Sequence, residues 1–310
     1  MSLDPEAQSF LSRLADAGQP RYDALSLADA REAMRAARRA RPPMPPFAGS
    51  RYETRTGPTG VPLRLYRPAG MGPEPAAAIL YLHGGGWALG ELDHFDPLCE
   101  SLAGQAGCIV VAADYRLAPE AKFPAAVNDA CEAFAWMARS SVELGLDPTR
   151  LAVAGDSAGG NLAAVVALSA RDGELPPVRL QVLLYPSVDM GMDWPSYAIS
   201  EPGLPVDGRM LRWFREHYLR QPSDAMNWRA SPLQAPKAGL APAYVLTVGY
   251  DPLVDEGAAY AEAMREAGVE VIHHHYPGQF HGFLSVTPGS VAARRAWNEI
   301  GAAAKLFLSA

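Results

Sequence analysis

LAVAGDSAGGNLAAVVALSA, residues 151–170, sets an apolar run, a Gly-Asp-Ser-Ala-Gly turn (155–159) and an alanine- and valine-rich stretch in direct succession. The first run is short and unbroken, as in a strand buried on both faces, and the last has the composition and length of a helix. Reversing from strand to helix within one tight turn strains the backbone of Ser157. Glycine is needed on both sides, because a Cβ there would meet the adjoining strand or helix. The serine is pushed out at the top of a sheet and is the candidate nucleophile.

Working outward, the same alternation continues. Residues 51–56 and 61–67 read as an antiparallel hairpin around the turn residues 57–60. Apolar runs follow at 77–82, 108–113, 151–155, 180–185, 243–249 and 269–276, with helical stretches at about 124–140, 158–171, 255–267 and 291–308. Strands that alternate with helices predict an α/β fold, a mostly parallel, doubly wound sheet with helices on both faces.

Before residue 45 the chain reads as helical. Asp4-Pro5 opens a helix on which Phe10, Leu11 and Leu14 share a face, Gly18 closes it, and a second begins at Ser26. The arginines of the second (Arg31, Arg35, Arg38, Arg39) read as a solvated face. The prolines from Arg41-Pro42-Pro43 to Pro45-Pro46 form a connector, which divides the chain into N-terminal helices (1–45) and a main domain (46–310). Residues 187–232 carry no strand-like run but hold Trp194, Tyr197, Trp213, Phe214, Tyr218 and Trp228. A connection of that length is expected to be functional, a helical cap over the strand ends shared with the N-terminal helices.

A serine hydroxyl needs a base to take its proton and donors to hold the oxyanion that forms. His83-Gly84-Gly85-Gly86-Trp87, directly after run 77–82, supplies a loop whose backbone amides can turn inward. Gly84, Gly85 and Gly86 are the candidate oxyanion loop, and Gly85 and Gly86 with Ala158 the expected donors. Ala158 also opens a helix, whose positive end adds to the effect. His281, in Gln-Phe-His-Gly-Phe after the last strand, is the candidate base. Asp251, immediately after run 243–249, is the candidate acid, with Asp255 one turn on as the alternative. Asp156 and Asp114 read as structural, bonding loop amides. His273, His274 and His275 alternate across a strand and chelate poorly as neighbours, and His94 and His217 fall in loop or cap. Cys99, Cys108 and Cys131 are scattered and odd in number, which fits reduced core thiols.

The 310 residues are 49% hydrophobic and 20% charged, with net charge -7. This balance gives no electrostatic reason to expect nucleic acid or anionic membranes as partners, and points to a substrate that is neutral or small. No apolar run is long enough to cross a membrane and the N-terminus lacks a signal pattern, so a cytoplasmic location is expected. No cofactor and no metal are called for, and a homodimer stays open.

HGGGW (83–87), DYRLAPE (114–120), GDSAGG (155–160), DPLVDEG (251–257) and HGF (281–283), in this order, resemble the hormone-sensitive-lipase-like esterases, the bacterial family IV, over residues 77–285. The resemblance implies the α/β-hydrolase fold and a triad of Ser157, Asp251 and His281. It also implies an oxyanion hole at Gly85, Gly86 and Ala158, a cap, and cofactor-free hydrolysis of small-molecule esters with short to medium acyl chains. An amidase or lactonase on the same triad, or a binding module on the same fold, are the competing readings.

Overall fold

AAAILYL and IVVAA contain nothing that must face water except one tyrosine hydroxyl, and both segments are buried along their whole length. Such strands form where helices cover both faces of a sheet. The computed structural model describes residues 2–18, 20–40, 46–57, 60–191 and 193–309. Among them eight strands, β1 Gly49–Arg55, β2 Pro62–Pro68, β3 Ala76–Leu82, β4 Ile109–Ala113, β5 Leu146–Asp156, β6 Gln181–Leu184, β7 Ala243–Tyr250 and β8 Val271–Phe280, form one sheet. Their order is β1-β2-β4-β3-β5-β6-β7-β8. The β1–β2 and β2–β4 pairs are antiparallel and all later pairs parallel.

The helices are α1 Pro5–Asp16, α2 Leu27–Arg39, α3 Leu92–Ala106, α4 Ala125–Arg139, α5 Ser141–Leu144, α6 Ala158–Arg171, α7 Gly208–Tyr218, α8 Val254–Glu266, α9 Phe283–Val286 and α10 Val291–Leu308. Side chains alternate across each strand. Leu80, Val111, Val153 and Val245 therefore meet α4, α6 and α8 on one face. Ile79, Val110, Ala152 and Leu246 meet α3 and α10 on the other. This is the doubly wound, mostly parallel α/β-hydrolase sheet.

Several local expectations change. Helix α3, with Pro97 inside it, lies where no helix was expected, and His94 is buried in it instead of in a loop or cap. Asp4 precedes α1 without capping it, because its carboxylate accepts from Gln279 Nε2 at the end of β8. On α1, Leu11 is fully buried while Leu14 is exposed. The arginines of α2 are more than a solvated face. Arg31 forks onto Glu120 and donates to the carbonyls of Ala88 and Ala118. Arg35 holds Glu91, Arg38 donates to the Asp93 carbonyl, and Arg39 pairs with Glu32. Residues 41–45 of the expected connector and 58–59 of the expected hairpin turn lie outside the described residues.

Between β6 and β7 the described residues contain no strand, only α7 and short 3-10 turns at Pro195–Ala198, Pro222–Met226 and Pro232–Gln234. Met210 and Phe214 of α7, Ala30 of α2, and Ala88 and Leu89 of the loop after β3 form a small apolar cluster of their own.

Candidate active site

Two neighbouring pairs of strands, β3 with β5 and β7 with β8, lie either side of β6 and deliver the expected residues to one edge of the sheet. Leu82 pairs with Gly155, so His83 to Gly86 leave β3 beside the turn that leaves β5. Tyr250 pairs with Phe280, so Asp251 and His281 emerge as neighbours from β7 and β8. The carboxyl ends of parallel strands are where ligands bind in this architecture.

Ser157 sits at φ 55, ψ -116, a conformation rarely adopted by a residue with a Cβ. A Cβ on Gly155 would overlap the Gly159 carbonyl, and one on Gly159 would overlap the Leu82 carbonyl. Both flanking glycines are therefore steric necessities. Three bonds over-determine the turn: Ser157 N–H to Leu184 O, Ser187 N–H to Ser157 O, and Asn161 N–H to Ser157 O.

The Ser157 hydroxyl is 2.9 Å from His281 Nε2, and His281 Nδ1 is 2.8 Å from Asp251 Oδ2. Asp251 is fully buried, and its other oxygen accepts from Leu253 N–H at 2.8 Å. A carboxylate accepting from Nδ1 fixes the proton there and leaves Nε2 as the acceptor facing the hydroxyl. The alternative acid, Asp255, accepts from Ser196 N–H and does not reach His281. Tyr185 packs its ring edge-on to His281, with centroids 4.9 Å apart.

Of the glycine loop, Gly84 is corrected as a donor to substrate. Its N–H is spent on Asp156 Oδ1 at 2.8 Å, and the same oxygen accepts from Tyr81 OH at 2.6 Å. Asp156 thus bonds a loop amide as expected, and burial pushes its pKa up to about 6. Asp114 does not act this way: among the described residues its backbone N–H bonds to Pro62 O and its carboxylate holds no loop amide. His83 lies between the rings of Phe95 and Tyr115 and holds the Gly84 carbonyl through Nδ1 at 2.7 Å. Burial holds its pKa down at about 4, so it donates there as a neutral ring. The N–H groups of Gly85, Gly86 and Ala158 have no partner among the described residues and border the same cavity as Ser157. Free amides converging on a hydroxyl can hold an oxyanion.

The cavity encloses about 150 Å³. Its floor is Ser157, His281 and the glycine loop, and its roof includes Met210, Phe214 and Tyr197. Phe214 rests so closely on Gly86 that a Cβ there would enter its ring. No cysteine lines the cavity; Cys99 and Cys108 are buried, Cys131 partly so, and all are free thiols. The histidine run is held by its own sheet and by α10, with His273 and His275 both bonded to Thr247 of β7 and His274 paired with Glu299 of α10. His217 lies on α7, bonded to the Trp213 carbonyl. The sequence reading missed Tyr185 behind His281 and Arg215 on the cavity wall; neither belongs to a motif or a periodic pattern that would single it out.

A strand-turn-helix serine, a histidine and a buried acid after later strands, and a glycine loop after β3 define an α/β hydrolase. The family model described as alpha/beta hydrolase fold matches residues 79–285, and the chain belongs to that family, in its hormone-sensitive-lipase-like branch. It is 41% identical to an ethyl acetate hydrolase of Pseudomonas putida, with 92% of each chain covered. It is 44% identical to the carboxylic ester hydrolase LipN of Mycobacterium tuberculosis, over 82% of this chain and 69% of that one. Among solved structures, an ester hydrolase from the metagenome of Lake Arreo, complexed with a derivative of bipyridine phosphonate, superposes with a TM-score of 0.91 at 36% identity over 98% of both chains. No helix among the described residues is long and apolar enough to cross a membrane.

Proposed function

We propose that this carboxylic ester hydrolase cleaves small esters with short to medium acyl chains through an acyl-enzyme on Ser157. The observation that carries the reading is the continuous relay from Ser157 Oγ through His281 to Asp251, beside unpaired amides. His281 Nε2 takes the hydroxyl proton as Oγ attacks the ester carbonyl. The oxyanion is received by the N–H groups of Gly85, Gly86 and Ala158, and Asp251 stabilises the imidazolium. His281 then returns the proton to the departing alcohol. A water activated by the same ring releases the acid and restores the hydroxyl. The named activities of the two sequence relatives, and the phosphonate complex of the Lake Arreo enzyme, favour this reading over an amidase, a lactonase or a binding module.

Residues 187–232 and the N-terminal helices are the cap in this proposal, supported by the cluster that joins Ala30, Met210 and Phe214. A small roofed cavity limits acyl length. Each methylene adds about 0.8 kcal/mol while it finds apolar wall, and beyond the wall overpacking costs roughly 1–3 kcal/mol. The test is kcat/KM for p-nitrophenyl esters from acetate to palmitate, with and without an oil-water interface. The maximum is expected at butyrate to octanoate. A maximum at palmitate, or a jump in rate at the interface, would overturn the cap reading.

A further inference from the structure

Four residues of α7 line the cavity, in two adjacent stripes. Met210 and Phe214 are spaced i, i+4 and are buried against the loop after β3. Leu211 and Arg215, with the same spacing, lie about 100° around the helix and border the same space. Three of the four are what an apolar roof requires. The fourth brings a guanidinium, a group that stays charged in proteins.

Arg215 is partly buried, and among the described residues its side chain has no hydrogen bond and no ion pair. Of the arginines around it, Arg21 holds Asp23 and Asp207, Arg209 holds Asp23, Arg31 holds Glu120 and Arg220 holds Asp224, while Arg212, also without a partner among the described residues, is exposed and lies off the cavity. The acids of the cavity are committed as well. Asp156 holds Tyr81 and Gly84, and Asp189 holds the N–H of Gly191 and the indole of Trp194. Glu216 is exposed on the outer side of α7. A cation partly withdrawn from water with no acid beside it is a cost to the fold, and a ligand anion would offset it. The planar fork of a guanidinium matches a carboxylate in two parallel bonds.

We infer that Arg215 receives a carboxylate carried by the substrate, so that the esters taken include those with an acid group beyond the scissile bond, such as half-esters of short dicarboxylic acids. The inference rests on the ester-hydrolase reading and deepens it, adding charged esters to the neutral or small substrates that net charge alone implied.

The test compares kcat/KM for anionic and neutral esters within each enzyme, so that differences in folded fraction cancel. One series places the acid on the acyl part, with monoethyl succinate, glutarate and adipate against ethyl esters of monocarboxylic acids of equal length. The other places it on the alcohol part, with acetoxy acids against alkyl acetates. In at least one series the anionic-to-neutral ratio should fall about tenfold in Arg215→Met and be partly kept in Arg215→Lys, the size of a charge-assisted hydrogen bond. Added salt should lower the ratio in the wild type and not in Arg215→Met. Hydrolysis of neutral esters with ratios unmoved in both series would overturn the anchor alone. Failure of the wild type on every ester of both series, neutral and anionic alike, would overturn the hydrolase reading and the anchor with it.

Discussion

Asp251 and Asp255 stand one helical turn apart, and each already holds something different: Asp251 the Nδ1 side of His281, Asp255 the backbone of Ser196. If Asp251 fixes the imidazole tautomer, Asp251→Asn should lower kcat by about 10⁴. Asp255→Asn keeps an acceptor for Ser196 and should cost far less. Steady-state kcat on p-nitrophenyl acetate separates the two, and the acid is misassigned if Asp255→Asn is the more harmful. Ser157→Ala should retain only what binding and the oxyanion amides supply, on the order of 10³ to 10⁴ over water. The requirement for glycine at 155 and 159 was legible because the clash that enforces it comes from the turn itself and the strand beside it. The diversion of the Gly84 amide was not, since the Asp156 carboxylate that takes it lies 72 positions along the chain. Arg215 was silent for another reason: what distinguishes it is a place on the cavity wall without a partner among the described residues, which only three-dimensional neighbours reveal.

At the scale of elements, the central strands were readable because continuous burial leaves little choice of residue, and the helices that cover them because their apolar stripes are regular. Helix α3 escaped. Pro97 is its sixth residue and cannot donate to the carbonyl four positions back, that of Asp93, so the segment reads as broken. The structure gives that carbonyl a different donor, Arg38 Nε at 2.8 Å, reaching across from α2, 55 positions upstream. A proline inside one helix and an arginine on another are thus a single device, and a double-mutant cycle measures it. Arg38→Met should destabilise by about 1 kcal/mol, the net worth of one hydrogen bond. In the Pro97→Ala background, where a backbone N–H can reach Asp93 again, the same change should cost only a few tenths. Urea unfolding of the four proteins gives the coupling, and equal costs in both backgrounds would mean that the arginine does not serve the carbonyl.

Across the whole molecule, the described helices and loops above the sheet are fastened by polar contacts as well as by apolar packing, and one of the polar contacts makes stability depend on pH. Glu256 of α8 is fully buried, and its carboxyl takes the N–H groups of Val188 and Asp189 and the hydroxyl of Tyr197, tying the segment after β6 to the sheet's helical layer. Burial pushes its pKa from the usual carboxylate range up to about 8. The folded state then holds a proton that the unfolded chain has released. The stabilisation is complete below the unfolded value and is lost as pH rises through 8. His83 and His273 have the opposite sign: burial holds each down at about 4, so their contribution is present above the unfolded histidine value and is lost as pH falls through 4. Asp156, near 6, loses its proton in wild type and Glu256 variant alike. In Glu256→Gln the amide oxygen still accepts from Val188 and Asp189, and its NH₂ can donate to Tyr197, but no proton is left to lose. The variant should therefore hold its Tm between pH 6 and pH 8 more closely than the wild type, while the two curves run parallel above pH 9, where Glu256 is ionised in both the folded and the unfolded chain. Thermal melts across this range decide it, and a decline of equal steepness in the two proteins from pH 6 to pH 8 would show that another group governs that flank.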